Sequence, residues 1–177
     1  IENGFMHYIT DSKITDPSII NDMYFRKFKD IYDTKYVNAA AWLLPRKTVE
    51  IIGGFDPLFF HYGEDDNYMH RVIFHQMKIG ICPKITICHD TENRIINKKY
   101  ITETSKKSLL VEFTNINNNI NIYKFLLYSF KKSTMKFLKF NFKNSKTYIE
   151  NSLYIWKLRH KIRKSVIQNK KSFPSWL

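Results

Sequence analysis

Residues 53–71 read GGFDPLFFHYGEDDNYMHR, so three consecutive carboxylates, Glu64, Asp65 and Asp66, stand directly behind an aromatic run of Phe59, Phe60, His61 and Tyr62. Acidic side chains in the first turn of a helix accept bonds from free backbone N–H groups and complement the helix dipole, each contributing about 0.3–1 kcal/mol. Capping therefore accounts for one or two of the three. It leaves the aromatic wall unexplained, and also Gly63, which lets the backbone turn sharply into the cluster. A carboxylate set against aromatic surface and beside another carboxylate has its charged form disfavoured, which moves it toward a useful general base. Plain core aromatics and helix capping are the competing reading.

The elements that must hold these residues can be read on either side. Upstream, residues 1–35 mix polar and aromatic types without sustained periodicity. A short helix is expected over roughly Pro17 to Asp33, starting at the Asp16-Pro17 signal. YVNAAAWLLP has the length and apolarity of a buried strand stopped by Pro45. RKTVEII fits two helical turns ended by Gly53-Gly54, and Asp56-Pro57 marks a turn. Downstream, Met69, Val72, Ile73, Gln76 and Met77 recur at helical spacing in a helix expected to begin inside the acidic cluster and to end at Gly80, with His70 and Arg71 off its apolar stripe. IGICPKITIC reads as one strand broken at Pro83, or as two, delivering His89-Asp90 at its end.

Beyond Thr91 the character changes. NINNNINI is low-complexity, and the next segment places Tyr123, Leu126, Leu127, Phe130, Phe137 and Leu138 on one helical face, with its lysines largely elsewhere. A final helix is expected over roughly 148–168. The chain has 177 residues, 44% of them hydrophobic, enough for one domain with a core, and carries a formal charge of +13. Up to Asp90 there are 12 acidic and 10 basic residues; after it, 4 and 19. Such a basic second half attracts phosphates, although the general abundance of Lys, Asn and Ile makes part of the bias compositional. Cys82 and Cys88 match no metal or redox spacing and read as small core residues. No apolar run approaches the ~20 residues needed to cross a bilayer, and the initial Ile suggests a segment of a longer protein.

The run VNAAAWLLPRKTVEIIGGFDPLFFHYGEDDNYMHRV followed by IGICPKITICHD resembles the C-terminal half of the family 2 inverting glycosyltransferases of GT-A fold. Ala39 to Ala41, Arg46, Gly53 to Asp56, Phe59-Phe60, Glu64-Asp65, Arg71 and His89 occupy the places of that pattern, over residues 36–90. The fold class implied is α/β: the C-terminal portion of a GT-A mixed sheet, followed by a helical, basic tail. Residues 1–100 would be the acceptor-side part, without the N-terminal donor-binding half, and residues 101–177 the tail. By the same resemblance Asp65 takes the proton from the acceptor hydroxyl, and Glu64 holds the acceptor or tunes Asp65. Tyr62, Phe60 and Asp56 bind the acceptor, and Arg71 compensates the cluster's charge, with a structural ion pair as its plainer role. His89 falls where related enzymes place a ligand to a divalent metal, Mn or Mg, that neutralises the leaving diphosphate.

Two departures stand out: Asn67 replaces the second Asp of Glu-Asp-x-Asp, and Ala39-Ala40-Ala41 lacks a frequent glycine. No segment ends in Asp-x-Asp and no Gly-rich phosphate loop is present, so a complete donor site is not expected in these residues. The implied partners are a nucleotide-sugar donor and a saccharide or lipid-linked acceptor, in polysaccharide or glycoconjugate assembly, with an oligomer as a further expectation. The setting implied is cytoplasmic, or peripheral on the inner face of the membrane. The alternative is a non-catalytic module that docks on an anionic membrane surface through the basic amphipathic tail. Nucleic-acid binding ranks lowest because no recognised motif accompanies the charge. A metal-dependent hydrolase on Glu64, Asp65 and His89 lacks the usual His-rich ligand spacing.

Overall fold

Helices dominate the computed structural model, which describes residues 16–37, 39–87, 98–172 and 176. Among the described residues there are six helices and one two-stranded sheet, so the chain is mixed α/β and mostly helical. In order they are α1 (Ile19–Tyr24), β1 (Tyr32–Thr34), α2 (Arg46–Ile52), α3 (Glu64–Phe74), β2 (Ile79–Ile81), α4 (Lys98–Thr114), α5 (Ile122–Leu138) and α6 (Phe142–Asn169). None of these helices is long and apolar enough to cross a membrane.

β1 and β2 pair antiparallel, Tyr32 opposite Ile81 and Thr34 opposite Ile79. The buried Tyr32 donates its hydroxyl to Asp22 of α1 at 2.8 Å, tying the sheet to the preceding helix. The strand expected at residues 36–45 does not form. The segment is irregular, and Leu43 is 95% exposed. Among the described residues no neighbouring edge offers it a ladder, and a strand without a partner leaves its backbone groups unpaired. The broken strand after Gly80 is likewise only the three residues of β2, with residues 84–87 irregular.

α2 and the start of α3 lie where the sequence indicates, but α3 ends at Phe74, six residues before Gly80. Gln76, at φ +57°, takes the left-handed position; its amide bonds to the Ile73 carbonyl and that of Met77 to the Val72 carbonyl, closing a Schellman motif. The same motif ends α1 at Arg26 (φ +53°) and α5 at Phe140 (φ +54°). Three helix ends therefore use a residue with a Cβ where glycine is the usual choice, and a search for glycine misses them.

Two clusters form the core. Ile52, Tyr68 and Val72 join α2 to α3, with Trp42 and Ile79 against them. Phe59, Leu110, Val111, Phe113, Ile155 and Ile162 join the loop before α3 to α4 and α6. The second cluster spans the boundary expected at residue 100, so the helical region is built into the same core as the acidic loop. α5 and α6, linked by three residues, pack antiparallel, with Ser133 and Ser145 hydroxyls 2.9 Å apart at their contact.

Gly63 sits where these layers meet, at φ +90°, and a Cβ there would lie 2.7 Å from Val111 Cγ2. Gly63→Ala is expected to cost about 2 kcal/mol or more, from the left-handed backbone and the overpacking together. An unchanged urea midpoint would show that α4 does not close on this turn.

Candidate functional site

The last carbonyls of α2 have no partners within their own helix and must find donors elsewhere. α3 supplies them. Tyr68 donates its hydroxyl to the Gly53 carbonyl at 3.1 Å, and Arg71 donates Nη1 to the Gly54 carbonyl at 2.6 Å and Nη2 to the Ile52 carbonyl. The guanidinium also lies over the Tyr68 ring, 5.3 Å from its centroid. Arg71 is 1% exposed, and burial draws its pKa down, opposed by Tyr68 and the Asp56 charge. Its guanidinium pairs with backbone carbonyls at the negative end of a helix dipole, and among the described residues no ion pair joins it to Glu64, Asp65 or Asp66. The place of Arg71 off the apolar stripe is corrected, since it faces inward.

Asp56 is also placed differently from its expected part in acceptor binding. It is 1% exposed; Oδ1 accepts from the Leu58 amide at 2.9 Å, and Oδ2 accepts from the Ser165 hydroxyl and from Asn169 Nδ2 at 3.1 Å. Trp176 Nε1 donates to Asn169 Oδ1 at 2.8 Å, closing the network. These bonds to α6 fix the loop. Beside it, a cleft of about 450 Å³ is lined by Leu110, Tyr154, Leu158, Lys161, Lys164 and Trp176, among others.

Pinned by Asp56 and by the buried Phe59, the loop raises a crest. Phe60 is 98% exposed, and the rings of His61 and Tyr62 stand 4.0 Å apart. Tyr62 has φ +67°, a conformation that costs an L-residue about 1–2 kcal/mol and that recurs at functional sites. Directly after it, α3 begins with Glu64, Asp65 and Asp66, all half-buried. Asp65 Oδ1 accepts from the Asp66 amide at 2.9 Å, and no other protein hydrogen bond of this carboxylate is formed among the described residues. Glu64 Oε2 is enclosed and has no donor among the described residues. An unpaired buried oxygen costs about 1–3 kcal/mol and calls for an explanation, such as a ligand group or a water.

Sequence reading missed the polar layer behind this turn. Asn67, fully buried, donates Nδ2 toward Thr114 Oγ1 at 3.4 Å, and a charged side chain at this position would be costly to bury. Asn115 Nδ2 stands 3.3 Å from His70 Nε2, and Asn117 Nδ2 donates to the His70 carbonyl at 2.8 Å. The Asn-rich segment is thus partly a clasp on α3. His89 lies outside the described residues, as does Cys88; Cys82 is half-buried with a free thiol. Among the described residues no three His, Cys, Asp or Glu side chains converge on a metal position, so these residues do not by themselves fit an ion.

No protein-family model, no curated protein and no solved structure matches the chain.

Burial lowers the pKa of His70 below its ordinary 6.5, and its Nε2 accepts from an amide, which leaves no room there for a second proton. Between the lowered value and 6.5 the unfolded chain binds more protons than the folded one. Stability therefore falls as pH drops through that window. Denaturation midpoints measured from neutral to mildly acidic pH should show this decline, and His70→Gln should flatten it. An equal slope in the variant would place its origin elsewhere.

Proposed function

We propose that the crest and the first turn of α3 form the acceptor side of an inverting sugar-transfer site, with Asp65 as the general base. The observation that supports this most is the carboxylate pair itself. Among the described residues Asp65 has one oxygen held by a backbone amide and the other without a protein donor, and beside it Glu64 has an enclosed oxygen with no protein donor. Both lie at a helix start immediately after an exposed aromatic crest. Sugar rings present C–H faces that lie well on aromatic surface and hydroxyls that donate to carboxylates, so crest and pair together suit a saccharide.

In the transfer step Asp65 takes the proton of an acceptor hydroxyl. That oxygen forms a bond to the anomeric carbon of a nucleotide sugar from the face opposite the leaving diphosphate, whose bond to the carbon breaks. Phe60 and Tyr62 position the acceptor, and Glu64 holds it. Arg71 and Asp56 serve by holding the loop rigid, because near-attack geometry is lost with small displacements. In this reading β1 and β2, with α2 and α3 beside them, belong to the acceptor side of a GT-A domain, and the donor-binding half is not among these 177 residues. A divalent metal, if bound, would neutralise the diphosphate; no step assigned to these residues runs through it.

Asp65→Asn keeps the helix cap and removes the base. In the enzyme complete with its donor-binding half, transfer is expected to fall by about 10²–10⁴ with little change in the melting temperature. Wild-type turnover in this variant would sink the assignment. Titration of the present chain with oligosaccharides, followed by NMR shifts at Phe60 and Tyr62, tests the acceptor surface separately.

A further inference from the structure

α5 is amphipathic in the wrong sense for a protein interior. Its Ser129 and Ser133 are buried against α6, while Leu127, Phe130 and Leu138 are 72%, 70% and 76% exposed. Small inner residues let the two helix backbones approach closely and leave the large apolar side chains outside. α6 adds to the same face: Tyr123 meets Trp156 with ring centroids 6.3 Å apart, and Phe137 meets Phe142 at 5.3 Å, so the apolar rows of the two helices join at both ends. The helix α5 is about 25 Å long, and its exposed apolar side chains run along most of it as a row rather than as scattered single residues.

Two further observations select the occupant. From residue 122 to residue 169 there are twelve Lys and Arg against one acidic residue, Glu150. Two copies face to face would bring these charges together, whereas an anionic surface complements them. The turn between the helices is built on Phe140, exposed and at φ +54°, where glycine would be less strained. A strained phenylalanine held out at a hairpin tip between Lys139 and Lys143 suits insertion among headgroups.

We propose that the α5–α6 hairpin docks this protein on an anionic lipid bilayer, lying in the interface with the Leu127, Phe130 and Leu138 row inserted and the lysines at the headgroups. The proposal stands independently of sugar transfer at Asp65, since it uses none of the same residues. The chain is tested by flotation with vesicles of equal parts phosphatidylglycerol and phosphatidylcholine, and with vesicles of phosphatidylcholine alone. It should float with the first and not the second, and added salt should weaken binding. Lys131→Gln and Lys139→Gln should each weaken it about fivefold. Leu127→Ser, Phe130→Ser and Leu138→Ser together should abolish it with unchanged helical circular dichroism. Phe140→Gly separates docking from folding: it should maintain or raise the melting temperature while lowering vesicle affinity. Equal flotation with neutral vesicles, unchanged affinity in these variants, or a dimer in solution that the triple variant dissolves and that fails to float would each overturn the proposal.

Discussion

One arginine, buried where few arginines go, holds the acidic loop in place. The three carbonyls at the end of α2 need donors, and Arg71 with Tyr68 supplies them from the neighbouring helix. The positive guanidinium meets the negative end of the α2 dipole, so desolvation of the charge is offset by bonds that also satisfy the backbone. Because the same guanidinium spans the Ile52 and Gly54 carbonyls, the α2–α3 angle and the exit direction of residues 53–63 are set together. The crest and the carboxylates inherit their position from that contact.

The second hold on the loop comes from far along the chain. Asp56 is 109 residues from Ser165 and 113 from Asn169, yet both donate to its carboxylate. Phe59 enters the core formed by α4 and α6, and Val111 closes on Gly63. The loop is fastened at three points while Phe60 and His61 between them stay exposed and Tyr62 half-buried. Rigid supports with an exposed crest are what a binding surface requires, because order established in the fold does not have to be supplied on binding.

What was legible in the sequence was local. α2 and its Gly-Gly stop, the Asp56-Pro57 turn and the start of α3 at the carboxylates are each specified by neighbours within a few residues. The strand expected at residues 36–45 failed because strands depend on partners that no local pattern supplies. The end of α3 was misplaced because Gln76 does a glycine's work. The apolar row of α5 was found correctly as a row; its side was not legible, since periodicity reports that a face is apolar and says nothing about what covers it. Asp56 and Arg71 were singled out through a resemblance that assigned them to the site, whereas their roles rest on contacts at separations no motif encodes.

The Asp56 network also has a consequence in time. Contacts across more than a hundred residues form late, after the entropy of closing a long loop has been met, and chains rich in them fold slowly. During synthesis, α2 and α3 emerge and can pair through Arg71 long before Asn169 exists to bind Asp56. The helical halves of the site thus assemble early, and the loop between them is set only when α6 has been made and has docked. The carboxylate surface therefore matures last, and a nascent chain shows the site helices before it shows the site.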